Sequence, residues 1–232
     1  MFKYCAYSEK GTERNINEDR VIVDNIVLQT AHYSGKSNNR FMAVVCDGVG
    51  STNGGGQAAE RIVKSFENFE IDLCSPLKLS RHLHKVNREI VEEQSSSQNT
   101  KTMASTAAGL VMMADRYLLF NLGDTRIYKF HDGNMRLVTR DHIEPNVDNC
   151  ITSYMGGNGY ACFPSFRKGI VENGCMFLIC SDGVYKSVND DDLKSILCAN
   201  IPVEEKGRAI LKLALQNGST DDKSLVLVEC VP

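Results

Sequence analysis

Apolar residues fall into short runs, separated by polar stretches rich in Gly, Asn, Asp and Ser. Runs at 20–30 (RVIVDNIVLQT), 40–47 (RFMAVVCD), 105–113 (STAAGLVMM), 116–124 (RYLLFNLGD), 126–130 (RIYKF), 136–139 (RLVT), 175–182 (CMFLICSD) and 224–230 (SLVLVEC) have the length and composition of strands. The polar AHYSGKSNN between the first two reads as a long hairpin loop, and HDGN (131–134) as a tight turn. Helical spacing appears four times. Ala59, Ile62, Val63 and Phe66 mark one face of a helix predicted to start near Gln57, after a glycine-rich loop. Over 75–94, Leu79, Leu83, Val86 and Ile90 share a face, with Ser75 as N-cap and Pro76 at the first helical position. Residues 189–200 place acids in a first turn, and 202–218 close on Gly218.

Strands in runs and helices in blocks predict an α+β fold: a four-layer α-β-β-α sandwich of two largely antiparallel sheets flanked by helices. EEQSSSQNTK (92–101) reads as a loop inside one domain spanning 1–232.

The bulk numbers narrow the partners. The net charge of −3 predicts no general attraction to nucleic acid or anionic membrane. No apolar run approaches the roughly 18 residues of a membrane span, and the start is too polar for a signal peptide. A cytoplasmic location is expected. Nine cysteines, odd in number and without a CxxC pair, read as reduced and mostly buried.

Acids sit at the mouths of the predicted strands: Asn17–Arg20 (NEDR), Asp47 (VVCDGVG), Asp124 (NLGDTR), Asp182 (LICSDGVY), and Asp221 with Asp222 (GSTDDKS). Any one Asp-Gly is a common turn pair. Several carboxylates converging on one rim would repel unless cations sat between them, and hard oxygen donors favour Mg²⁺ or Mn²⁺. No HExxH pattern suggests zinc. GVGSTNGGG matches neither GxxxxGK[ST] nor GxGxxG, so its glycines read as freedom to turn rather than a phosphate cradle. His142 is the most site-like histidine, though a hydrogen-bonded structural role is the commoner fate. His82 and His84 read as solvated on a surface helix.

Taken in order, RNINED, VVCDGVGS, STAAGLV, NLGDTRIY, TRDH, ITSYMGG, CSDGVYKSV and STDDKSLVLV resemble the motif series of the PPM/PP2C family of metal-dependent serine/threonine protein phosphatases, and of its compact bacterial members. The resemblance implies a sandwich fold and hydrolysis of phosphoserine and phosphothreonine in proteins at a binuclear Mn²⁺ or Mg²⁺ site, without a phosphoenzyme. It implies that Asp47 bridges two ions, that the Gly48 carbonyl helps to bind one, and that Asp182 and Asp221 hold the other. Asp124 and Asp182 would share a third, weaker ion. Glu18 and Asp19 would support metal-bound waters, and Arg14 would grip the phosphate with its guanidinium fork. A water acidified between the ions would attack phosphorus in line.

Three departures stand out. Val49 occupies the place where many eukaryotic members carry a histidine that could protonate the leaving alcohol; a metal-bound water would substitute. STDDKS replaces the usual Asp-Asn pair, adding Asp222, whose charge Lys223 would partly offset. Only IEPNVDNC separates His142 from Ile151, where the family usually inserts a flap of a few dozen residues. An open site is expected, with little peptide preference or with selectivity supplied by a partner protein. Phosphoprotein substrates of a serine/threonine kinase are the expected targets. A catalytically weak regulatory module and a hydrolase of small phosphoesters are the other readings.

Overall fold

The computed structural model describes residues 1–49, 54–67, 69, 75–96, 102–147 and 150–231. One six-stranded sheet is ordered β10-β9-β13-β14-β1-β4 and the other β12-β8-β7-β5-β2-β3, with neighbours antiparallel throughout. The first is built from β1 (Phe2–Glu9), β4 (Ala31–Ser37), β9 (Arg126–His131), β10 (Asn134–Leu137), β13 (Met176–Cys180) and β14 (Lys223–Cys230). The second is built from β2 (Arg20–Val23), β3 (Ile26–Leu28), β5 (Arg40–Cys46), β7 (Ala107–Met113), β8 (Arg116–Leu122) and β12 (Ser165–Ile170). A short pair, β6 (Ala104–Ser105) and β11 (Met155–Gly156), lies apart.

The sheets pack face to face through Phe41, Ala43, Leu110, Phe177, Ile179 and Val226. Helices α1 (Gly55–Ser65) and α2 (Pro76–Ser96) cover the second sheet. Helices α3 (Asp182–Tyr185), α4 (Asp190–Cys198) and α5 (Val203–Gln216) cover the first. The result is the four-layer arrangement the sequence predicts. Among the described residues, no helix is long and apolar enough to cross a membrane.

The helix signals work as read. Lys78 N–H donates to Ser75 Oγ at 3.3 Å, and Asn189 accepts from Asp192 N–H at 2.9 Å. Leu79, Leu83, Val86 and Ile90 are all buried, and Gly218 turns the chain at φ +88°. The first helix begins at Gly55 rather than Gln57.

Three strand expectations need correction. AHYSGKSNN is not a loop: its first seven residues form β4, at the edge of its sheet. Its inward positions are Tyr33, Gly35 and Ser37, only half-buried at the sheet edge, so no run of apolar residues marks the strand. Strand β1, buried along most of its length, is built from Tyr, Cys, Ala and Ser rather than aliphatics. RVIVDNIVLQT is a hairpin, because Asp24 (φ 43°) and Asn25 (φ 70°) both adopt the left-handed conformation of a type I′ turn. The edge strand β12 also went unseen. The predicted loop 92–101 is helical to Ser96; the rest lies outside the described residues, as does Cys74. Cys5, Cys46, Cys162, Cys175, Cys180 and Cys230 are buried free thiols, while Cys150 is half-buried and Cys198 exposed.

His84 is exposed, but His82 is not solvated. Its ring lies 4.9 Å from Phe66 and 4.4 Å from Phe69, and burial pushes its pKa down to about 4. Phe66 in turn stacks on Phe120 at 5.8 Å. Gly109 pairs with Phe120 across the sheet, and a Cβ there would collide with the trapped ring. Gly109→Ala is therefore expected to destabilise the fold by about 1–3 kcal/mol, read as a Tm lowered by several degrees. An unchanged Tm would refute this packing.

Candidate metal centre and active site

Strand registers bring the acids to one rim. Asp47 follows the end of β5, where Cys46 pairs with Arg20 at the start of β2, just after Asp19. Asp124 lies in the β8–β9 connection, which crosses from one sheet to the other. Arg126 pairs with Cys180 at the end of β13, and Asp182 follows two residues later. Cys180 pairs with Leu225 near the start of β14, so Asp221 lies at the same end.

Arg14, Asp47, Gly48, Asp124, Asp182 and Asp221 line a single cavity of about 340 Å³, together with Val49, Thr106, Ile151 and Lys186. Arg14 reaches Asp221 Oδ1 through Nε at 2.8 Å and Nη2 at 2.7 Å. Gly48 is there for space: a Cβ would collide with the Gly55 peptide at the start of α1. The Asp47 backbone is clamped, its carbonyl accepting Thr106 N–H and Ser105 Oγ–H, both at 2.9 Å, and its N–H donating to Thr106 Oγ1 at 3.1 Å.

Glu18 and Asp19 stand behind this wall. Asp19 is buried, accepts from Ser181 Oγ at 2.8 Å, and has its pKa raised to about 7 by burial, which the hydroxyls of Ser181 and Ser224 only partly relieve. Glu18 accepts from Gly56 N–H at 3.4 Å. Asp47 lines the cavity and is partly buried there. Burial raises its pKa well above the ordinary carboxylate value, and the charges of Asp19, Asp182 and Asp124 raise it further. Asp124 is raised by burial and by Asp182.

Such a cluster is a poor place for anions and a good one for cations. Every acidic donor is a hard carboxylate oxygen, as Mg²⁺ and Mn²⁺ prefer. Among the described residues, no three of His, Cys, Asp or Glu form a ready-made cage. The residues fit a divalent metal centre.

His142 does not line the cavity. Its Nδ1 accepts from Gly123 N–H at 3.3 Å and its Nε2 pairs with Ser165 Oγ at 2.8 Å, so it braces the turn that carries Asp124. Asp222 points away from the site: its carboxylate accepts Gly11 N–H at 2.7 Å and Glu18 N–H at 2.8 Å, fixing the segment that bears Arg14. The buried Lys223 donates to the Asp221 carbonyl at 3.1 Å. Sequence reasoning missed three groups. Tyr185 Oη donates to Asp124 Oδ2 at 3.1 Å, and Arg126 stacks on the Tyr185 ring at 3.8 Å while gripping Asp141. Lys186 donates to Asp182 Oδ2 at 2.8 Å. Its position four residues after Asp182, one helical turn on, was the available signal. At the expected flap position, Ile143 bridges to Ile151, and Thr152 N–H donates to the His142 carbonyl at 2.8 Å, closing a short loop.

A family model for protein phosphatase 2C matches residues 19–216. The chain belongs to the protein phosphatase 2C family. It is 23% identical to the serine/threonine protein phosphatase PstP of Mycobacterium tuberculosis over 253 residues, covering 100% of this chain but 45% of that protein, so it spans about half of that relative's length. Its fold matches the solved structure of PppA, a regulatory component of T6SS in Pseudomonas aeruginosa, at TM-score 0.80 and 23% identity, covering 98% of this chain and 96% of that one. It also matches the catalytic domain of PstP in complex with two manganese ions, at TM-score 0.78 and 21% identity, covering 100% and 99% of the two chains.

Proposed function

We propose that this PP2C-family protein hydrolyses phosphoserine and phosphothreonine in protein substrates, opposing a serine/threonine kinase, with two Mn²⁺ or Mg²⁺ ions in the acidic cavity. The observation that carries the reading is the convergence of Asp47, Asp124, Asp182 and Asp221 with Arg14 on one cavity. The catalytic unit is residues 1–232, whose first and last strands pair along their length. The reaction takes place in the cytoplasm. When bound, the ions neutralise phosphoryl charge and acidify water.

Asp47, the Gly48 carbonyl, Asp182 and Asp221 would hold the ions. Asp19, anchored by Ser181, and Glu18, anchored by Gly56 N–H, orient the waters around them. Arg14 leaves Asp221 to take two phosphoryl oxygens in a bidentate grip, stabilising the charge that builds there. A water oxygen forms the new bond to phosphorus while the bond to the serine or threonine oxygen breaks. Val49 has no proton to give, so the leaving alkoxide takes its proton from water in the open cavity. Only eight residues separate His142 from Ile151, too few for a large flap, and a partner protein would then supply selectivity.

The test is phosphate release from a phosphothreonine peptide and from p-nitrophenyl phosphate, with Mn²⁺ and with EDTA. Mn²⁺-dependent release from the peptide is expected. Release from the small ester alone would favour a small-molecule hydrolase, and release from neither would leave only a binding module. Arg14→Ala should lower kcat/KM for the peptide by roughly 10²-fold, the scale of losing one charged transition-state contact, with Mn²⁺ binding retained. Unaltered kinetics would remove Arg14 from the site.

A further inference from the structure

The cavity that gathers the acids also holds a lysine. Lys186 caps the short helix α3 that begins at Asp182. Its backbone N–H donates to the Asp182 carbonyl at 2.9 Å, and its Nζ donates to Asp182 Oδ2 at 2.8 Å. Main chain and side chain are thus both tied to the same proposed ligand. An ammonium is the ordinary state of a lysine at neutral pH.

The same charge reaches Asp124. Its carboxylate lines the same cavity as Asp182 and Lys186. An ion bridging Asp124 and Asp182 through Oδ2 would compete with Nζ for that oxygen. Four carboxylates line the cavity with two resident cations, Arg14 and Lys186.

We propose that Lys186 is a resident cation standing in the place of a third divalent ion between Asp124 and Asp182, so that this centre loads two ions and no third. The proposal rests on the two-ion reading given above and concerns only how many further ions the acids accept. A tethered ammonium costs no ion to recruit, and it fixes Asp182 before metal arrives.

Ion stoichiometry tests it without reference to activity. The metal-free full chain is dialysed to equilibrium against graded Mn²⁺, and bound metal is counted by mass spectrometry and by the loss of the free-ion electron paramagnetic resonance signal. Wild type and Lys186→Arg are expected to take two ions. Lys186→Met and Lys186→Gln, neutral and of similar length, are expected to take a third in the millimolar range, with circular dichroism confirming that each variant is folded. Three ions in the wild type, or two in both neutral variants, would overturn the proposal while leaving the two-ion centre standing. Fewer than two ions in every protein would overturn the two-ion reading and this proposal with it.

Discussion

Asp47→Asn is expected to lower Mn²⁺-dependent phosphatase activity by at least about 10³-fold, equivalent to about 4 kcal/mol of lost transition-state stabilisation, while making the metal-free protein more stable. Both effects have one cause. Asp47 sits among Asp19, Asp182 and Asp124, and burial with their charges holds its pKa far above the ordinary range. A carboxylate in that position is costly to the empty fold, a cost the proposed ligand role would offset. Asparagine keeps the shape, removes the charge and can donate to a neighbouring acid. The metal-free variant should gain about 1–3 kcal/mol, the scale of relieving one unsatisfied buried polar group. Urea unfolding in EDTA measures the gain, and phosphopeptide turnover in Mn²⁺ measures the loss. Retained turnover would overturn the site map. A metal-free variant less stable than wild type would show that Asp47 is held by bonds rather than tolerated for function.

The second large effect is in pH. Asp19 titrates at about 7 instead of 3.8, and Asp47 and Asp124 are raised as well. An acid whose folded pKa is raised binds more protons folded than unfolded. Its contribution is therefore most favourable below the ordinary carboxylate range and is lost as pH rises through the folded value. Metal works in the opposite sense, because ligands must lose their protons to bind it. The Tm gained on adding Mn²⁺ is expected to be small near pH 5.5 and large near pH 7.5, with apparent affinity rising about tenfold per pH unit for each proton displaced. His82, pushed down to about 4 by burial, destabilises the fold as pH falls below 6.5. It is present with and without metal, so the difference between the two curves isolates the acids. A Mn²⁺ shift independent of pH would mean that none of the raised acids loses a proton when metal binds.

The legible parts of the sequence were those whose signal is local. The α2 face of Leu79, Leu83, Val86 and Ile90 follows from 3.6-residue spacing, and its start from Ser75-Pro76. Asp47, Asp124 and Asp182 stand out because an acid at the mouth of an apolar run is conspicuous. What went unread lacks such a signal. Strand β4 is an edge, so nothing along it must be apolar; β1 is buried, yet its Tyr, Cys and Ser fill the core without aliphatic runs. The pairing of Arg14 with Asp221 spans 207 residues, and no periodicity encodes a contact of that separation.

By itself, then, the sequence determined the helices, most of the apolar strands and the candidate carboxylates, because each carries a signal within one segment, while the order of strand runs and helix blocks pointed to the layers. Only the tertiary structure decided what those carboxylates face. Antiparallel registers carry the end of β5, the start of β2, the β8–β9 turn, the end of β13 and the start of β14 to one rim. That same packing turns Asp222 away to hold the Arg14 segment and leaves His142 as a brace. It also sets Lys186 against Asp182. Charge acts through space with a strength set by distance and burial, and both are properties of the folded chain.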